Sequence, residues 1–225
     1  MDATLQAVEF GYGDAGFRLS IPKLTLATGS RTAFVGPSGS GKTTLLSLLA
    51  GITTPHSGTI QIGQHSLNSL PEAGRRAFRI QHIGFVFQDF RLIDYLNIRE
   101  NLRLPYRLNE AMTLDQDVEE RLETLAETLL LTDKLSAGID TLSHGERQRV
   151  AIGRALLPQP GLILADEPTG NLDPTNKTRI LDLLFEQAEA SGATLVMVTH
   201  DHALLDRFEQ VIDFETFHTL ETADA

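Results

Sequence analysis

The sequence predicts an α/β fold, a mostly parallel sheet covered by helices, with a helical lobe inserted into it. Three observations predict it. Strand and helix signals alternate in the first and last thirds of the chain. A complete G-x-x-x-x-G-K-[ST] loop, Gly36 to Thr43, lies between an apolar strand and a helix. The middle third, from about Arg91 to Leu157, carries helix signals and almost no strand signals.

Taken in order, Val8, Phe10 and Tyr12 alternate on one face and break at Gly11 and Gly13, a strand ending in a turn. A short apolar strand at about Ala33–Val35 runs into the glycine-rich loop. A helix starts near Lys42, carries Leu45, Leu46, Leu48 and Leu49, and stops at Gly51 before Pro55. Thr59–Ile62 and Gly84–Phe87 read as further strands. In the middle third, Thr113 and Gln116 have the spacing of a capping box, with Asp115 and Asp117 in the first turn. Val118, Leu122, Leu125 and Leu129 follow at helical spacing, a stripe that reads as core packing. Leu162–Ala165 is a continuous apolar run of the buried-strand type. A helix follows with Asp173 as N-cap and Pro174 in its first turn, and Ala193–Thr199 is another buried strand.

Composition narrows the class. The 225 residues are 41% hydrophobic, which suits a chain with a full core. No apolar run reaches the roughly 18 residues a spanning helix needs, so a membrane role would pass through a partner. The start, MDATLQAVEF, has no basic region followed by an apolar one, so no secretory signal is expected. The absence of cysteine excludes disulfides and thiolate metal sites and fits a reducing compartment. A net charge of −11 argues against nucleic acid as a partner, because phosphate contacts need a basic surface.

The chemistry begins at Gly36–Thr43. Glycines let successive backbone N–H groups turn inward around phosphate oxygens, and the helix start adds its positive dipole end. Lys42 would bridge the β- and γ-phosphates, and the Thr43 hydroxyl would ligate Mg²⁺. Asp166 and Glu167 stand at the carboxyl end of a buried strand, where ligands of open α/β sheets sit. Such a pair is also compatible with a solvated loop. Beside a phosphate loop, Asp166 is expected to hold Mg²⁺ and Glu167 to polarise the attacking water as general base.

Leu142-Ser143-His144-Gly145-Glu146-Arg147-Gln148-Arg149, followed by a helical stretch from Val150 to Leu157, resembles the signature motif of ATP-binding cassette proteins. With that resemblance the other motifs fall in family order over nearly the full length. It implies a P-loop NTPase core with an N-terminal antiparallel β subdomain and an inserted α-helical subdomain. The whole chain, 1–225, would be one nucleotide-binding domain, with residues 1–90 and 158–225 as core and about 91–157 as the helical subdomain. Tyr12 would stack on adenine. Gly36, Ser38, Gly39, Ser40, Gly41, Lys42, Thr43 and Thr44 would hold the phosphates. Gln88 would link the core to the helical lobe, acting in catalysis and at the metal. Asn171-Leu172-Asp173 matches the D-loop, and His200 the switch histidine. Ser143 and Gly145 would face the other subunit's γ-phosphate across a dimer.

Bland readings stand beside several of these. Ser143 and Glu146 fit a capping box and so also cap their own helix. Tyr12 continues a strand alternation, Gln88 follows an apolar strand, and His200 lies at a strand end, so each has an ordinary structural reading. His56, His65, His82, His202 and His218 read as surface residues. Two departures from the family pattern are visible. His144 replaces the first of two signature glycines, where an imidazole would either crowd the composite site or donate a hydrogen bond to ribose or phosphate. After Val211–Phe214, the segment Glu215–Ala225 shows no clear glycine turn and strand, and no regulatory domain is expected.

The runs Ala165–Asp173 and Gly84–Gln88, with Glu146–Ile152, are similar to the lipoprotein-release and macrolide/peptide-export subgroup, whose cassettes drive permeases by mechanotransmission. The cell-division cassette is a close cousin. The resemblance therefore implies a homodimer that binds ATP and Mg²⁺, hydrolyses ATP, and docks on a separate integral membrane permease. It would sit peripherally on the cytoplasmic face of the inner membrane. A soluble cassette ATPase acting on DNA or ribosomes is the competing class. Such proteins usually carry long coiled-coil insertions or two cassettes in one chain, and neither is present. A structural or nucleotide-sensing role is opposed by the intact Glu167 and His200.

Overall fold

The computed structural model describes residues 1–13, 17–170, 172 and 174–217. Among these residues, two sheets and six α-helices carry the fold. The first sheet is antiparallel, in the order β2-β1-β4-β5, from β1 (Ala3–Gly11), β2 (Arg18–Leu26), β4 (Ser57–Ile62) and β5 (His65–Ser66). The second is parallel in its paired strands, in the order β6-β7-β8-β3-β9. Its members are β3 (Arg31–Val35), β6 (Ile83–Val86), β7 (Leu162–Asp166), β8 (Thr194–Val198) and β9 (Gln210–Asp213). The helices are α1 (Lys42–Leu49), α2 (Glu72–His82), α3 (Ile98–Leu108), α4 (Gln116–Thr128), α5 (His144–Leu156) and α6 (Pro174–Ser191). Among the described residues, no helix is long and apolar enough to cross a membrane.

Strand β1 follows the alternation only in pieces. Ala3 and Leu5 are buried, the register slips between Gln6 and Glu9, and Val8 and Phe10 resume the buried face. Ala7 has φ 50 at that bulge. Pro22 of β2, lacking an N–H, stands opposite the skipped position, which explains why the Leu19–Ile21 and Leu24–Leu26 alternation does not read as one strand. The four leucines of α1 are fully buried in a core with the inner faces of both sheets. A second core joins the opposite face of the parallel sheet to α3, α4 and α5, and contains the whole Val118–Leu129 stripe.

Two local readings are corrected. Helix α4 is capped by Asp115, whose side chain accepts from the Val118 N–H at 3.0 Å; Thr113 and Gln116 form no box. A carboxylate accepts that bond and also complements the helix dipole, so the start falls two residues later than the Thr spacing suggests. His82 is half-buried rather than a surface residue, between Phe78 and His65, and burial, then the neighbouring His65, lowers its pKa. His56, His65 and His202 are exposed. Asn171, Asp173, His218 and the end of the chain after Phe217 lie outside the described residues.

Helix α5 lies hard against β6. A methyl on Gly84 would stand 2.5 Å from the Ala155 carbonyl oxygen, so only glycine admits this approach. That contact seats the end of α5 on the start of β6.

Candidate functional site

Four parallel strands deliver the site. At their carboxyl ends, β3 leads into Gly36–Gly41, β6 into Gln88, β7 into Asp166 and Glu167, and β8 into His200. The ends converge on a cavity of about 570 Å³, lined by Tyr12, Phe17, Gly36, Ser38, Gly39, Gly41, Lys42, Thr43, Thr44, Gln88, Glu167, Val198 and His200. Eleven of these thirteen residues are among those expected from the sequence; Phe17 and Val198 are the additions.

Within the loop, Gly41 is the N-cap of α1 with φ 98, a conformation that L side chains rarely adopt. A methyl there would also meet the Phe17 ring at 2.2 Å. Lys42 is only 5% exposed, and its ammonium donates to the carbonyls of Gly36 at 2.8 Å and Pro37 at 2.7 Å. Its third contact is Ser40 Oγ at 3.4 Å, which places Ser40 beneath the loop rather than on the cavity wall. The cation thus fixes the curl of the loop, and the Ser40 N–H, donating to the Pro37 carbonyl at 3.3 Å, closes it from within.

Glu167 is a non-glycine residue at φ 45, a strained position of the kind found at functional sites. Its N–H donates to Val198 O at 3.0 Å and its carbonyl accepts from Gly170 N at 3.1 Å, so strand β8 and the following turn hold the strain. The twist brings its Oε2 within 3.0 Å of His200 Nδ1. Next to His200, Asp201 pairs with Lys177 at 2.7 Å and caps the turn that follows, which steadies the end of β8.

Asp166 is buried and lines an adjoining cavity of about 580 Å³ together with Thr43, Gln88 and His144. Burial pushes its carboxyl above the ordinary carboxylate value; the Thr43 hydroxyl, which donates to it, and Lys42 oppose the shift, while Glu167 and Asp89 add to it. A hydroxyl, an amide and a buried carboxylate form an all-oxygen donor set, the chemistry that suits Mg²⁺. The residues present fit that ion.

The sign of the Asp166 shift gives a testable outcome. The folded chain holds this proton more tightly than the unfolded one, so stability falls as pH rises through the window above the ordinary carboxylate pKa. Asp166→Asn is expected to raise the melting temperature of the ligand-free chain at pH 7, by roughly 2–4 °C per kcal/mol recovered. The same variant should lose the further rise that Mg²⁺ with ATP produces. Differential scanning fluorimetry with and without Mg²⁺·ATP checks both, and an unchanged or lower ligand-free melting point would contradict the assigned burial cost.

Tyr12 is 57% exposed at the cavity mouth, edge-on to Phe10 with centroids 4.8 Å apart, so it is not a core aromatic. Its hydroxyl lies 3.4 Å from Thr44 Oγ1, and Phe17 stands 5.9 Å away, a second ring beside the loop. Phe17 immediately precedes β2, so the strand signal of residues 18–26 is what points to it. Ser143 caps α5 in a complete capping box: its Oγ accepts from Glu146 N at 3.3 Å, and its N–H donates to Glu146 Oε2 at 2.8 Å. Lys134 also pairs with Glu146, and with the Ser143 N–H holds that carboxyl down to about 2. Neither Ser143 nor Gly145 lines the cavity of its own subunit.

A glycine-rich loop cradled on a lysine, a buried Asp166 beside a partly exposed Glu167 at the end of β7, and a capped signature helix whose Ser143 and Gly145 lie outside the loop's cavity describe an ATP-binding cassette. The chain belongs to that family: the model of the ABC transporter family matches residues 19–170. It is 40% identical over 212 residues to the lipoprotein-releasing system ATP-binding protein LolD of Legionella pneumophila (strain Paris), covering 93% of this chain and 92% of that protein. It is 44% identical over 207 residues to LolD 1 of Rhodopirellula baltica, covering 89% and 90%. The structure is similar to a dimeric post-hydrolysis state of the cassette MJ0796 bound to ADP and phosphate, with TM-score 0.85, 32% identity, and coverage of 94% and 93%. The chain is the ATP-binding subunit of a transporter.

Proposed function

We propose that two copies of this chain close around two ATP molecules and hydrolyse them to drive a membrane permease of the lipoprotein-releasing kind. The observation that carries the reading is the split site. One subunit gathers the loop, Gln88, Asp166, Glu167 and His200 at one sheet edge, while Ser143 and Gly145 stay outside that cavity. The capped helix start is therefore free to complete a second subunit's site, with its dipole aimed at a γ-phosphate. The MJ0796 neighbour, a dimer bound to ADP and phosphate, supports a dimer.

In this reading Tyr12 stacks on the base and the N–H groups of Gly39, Gly41 and the start of α1 hold the phosphates. Lys42 keeps its loop carbonyls and turns part of its charge to the β- and γ-phosphates. Thr43, Asp166 and Gln88 would hold Mg²⁺, which supplies charge neutralisation on those phosphates. Glu167 orients and deprotonates the attacking water, and His200, 3.0 Å from its carboxylate, fixes that geometry and faces the γ-phosphate. Residues 1–90 and 158–225 act as the core and about 91–157 as the moving helical subdomain. The permease docks near Gln88–Tyr106, where an apolar groove of about 210 Å³ runs between α2, α3 and α5 past Phe85, Phe87, Leu104 and Leu108. The chain then works peripherally at the cytoplasmic face of the cell membrane. The names of the curated relatives favour lipoproteins as cargo over macrolides, peptides or a cell-division role.

Ser143→Arg tests the split site. It should leave binding of a fluorescent ATP analogue to the monomer within about twofold, yet abolish ATP-dependent dimerisation and phosphate release. Hydrolysis at the parent rate would overturn the composite dimer.

A further inference from the structure

Position 144 carries an imidazole where the family pattern has glycine, and its ring is turned toward its own subunit. The His144 ring meets Phe90 edge-on, centroids 4.6 Å apart at 70°. Phe90 lies two residues beyond Gln88, and it and Arg91 are both left-handed, at φ 61 and φ 49. Two successive non-glycine residues in that region hold their shape only when neighbours over-determine them. Helix α5 supplies those neighbours. Buried Arg154 donates one N–H to the Phe90 carbonyl and another to the Arg91 carbonyl. At the other end of the same helix, His144 takes the Phe90 side chain. The loop after Gln88 is thus fastened to α5 twice, through its backbone near the helix end and through its side chain at the helix start.

We propose that His144 is a positioning residue: its ring, packed on Phe90, ties the Gln88 loop to the signature helix so that Gln88 and Ser143 move as one body. Glycine at 144 would leave only the Arg154 tether, and the loop would shift against the helix start. This rests on the reading of Gln88 as a residue of the ATP site. It differs from both sequence-based expectations for His144, which place the ring at the partner's nucleotide, because the Phe90 contact lies within the ring's own subunit.

The test is a double-mutant cycle on the full chain, with His144→Gly, Phe90→Ala, the pair, and His144→Phe, which keeps a ring. Each single variant should lower kcat on the order of threefold to tenfold, the scale of one aromatic pair, with KM for ATP within about twofold. The double variant should be no worse than the weaker single, and His144→Phe should recover to within about twofold of the parent. Amide hydrogen exchange at residues 88–91 should quicken in His144→Gly and Phe90→Ala, stay at the parent rate in His144→Phe, and be unchanged elsewhere. Multiplicative losses with a raised KM, and no recovery in His144→Phe, would place the imidazole on the partner's nucleotide and overturn the latch. If the parent itself releases no phosphate, the proposed function fails, while the exchange comparison still decides whether the latch exists.

Discussion

Glu167→Gln is expected to cut phosphate release by about 10²–10⁴-fold, the range a positioned general base supplies, while nucleotide affinity stays close to that of the parent. The geometry makes the substitution clean. Glutamine has the shape of glutamate, and its amide oxygen still accepts from His200 Nδ1 across the 3.0 Å contact. The backbone strain at φ 45 is also unchanged, since it is held by Val198 and Gly170 rather than by the side chain. What is lost is the proton acceptor beside the Asp166 site. With hydrolysis stopped, closure has no exit, so the variant should elute as a dimer in size-exclusion chromatography with Mg²⁺·ATP and as a monomer without it. A variant that releases phosphate at the parent rate would remove Glu167 from the role of base.

Lys42→Ala is expected to weaken nucleotide binding by roughly tenfold to a hundredfold and to eliminate turnover, as befits losing hydrogen bonds from a charged group. Two effects combine. The phosphates lose a counter-charge held in a buried position, where screening is weak. The loop also loses the donor that satisfies the Gly36 and Pro37 carbonyls, so the curl that aims its N–H groups loosens. A fluorescent ATP analogue titrated against parent and variant measures the sum. Equal affinities would show that backbone N–H groups and the helix start bind phosphate without the lysine. A melting point lowered in the ligand-free variant would report the second effect separately.

Much of the site was legible because its residues are clustered in short stretches whose spacing is set by backbone chemistry. Gly36–Thr43 must be a loop between strand and helix, since it needs glycines at positive φ followed by a helix start, and α1 begins at Lys42 with Gly41 at φ 98. Ser143 and Glu146 were readable as a capping box because cap and N3 are three residues apart in any helix. By contrast, Phe17 was missed. The strand it precedes is interrupted at Pro22 opposite a bulge, and local alternation does not survive a bulge. Helix α2 was missed too, because only Phe78 of its residues is buried and three arginines cover the rest of it. Asp115 displaced Thr113 as cap because two nearby residues competed for one helix start.

The sequence by itself determined the class of fold, the phosphate loop, the acid pair, the signature helix and the order in which they occur. Each is a local pattern, written within a few residues and enforced by φ preferences, capping and burial of a strand. Only the tertiary structure decided that the carboxyl ends of β6, β7, β8 and β3 lie side by side, because strand order depends on packing between segments distant in the chain, Arg31 with Leu195 and Ile83 with Leu162 among them. It also decided that Glu167 twists to meet His200, and that His144 packs on Phe90 within one subunit. Those contacts join residues 33 and 54 positions apart, and no periodicity in a linear chain encodes a distance across a folded core.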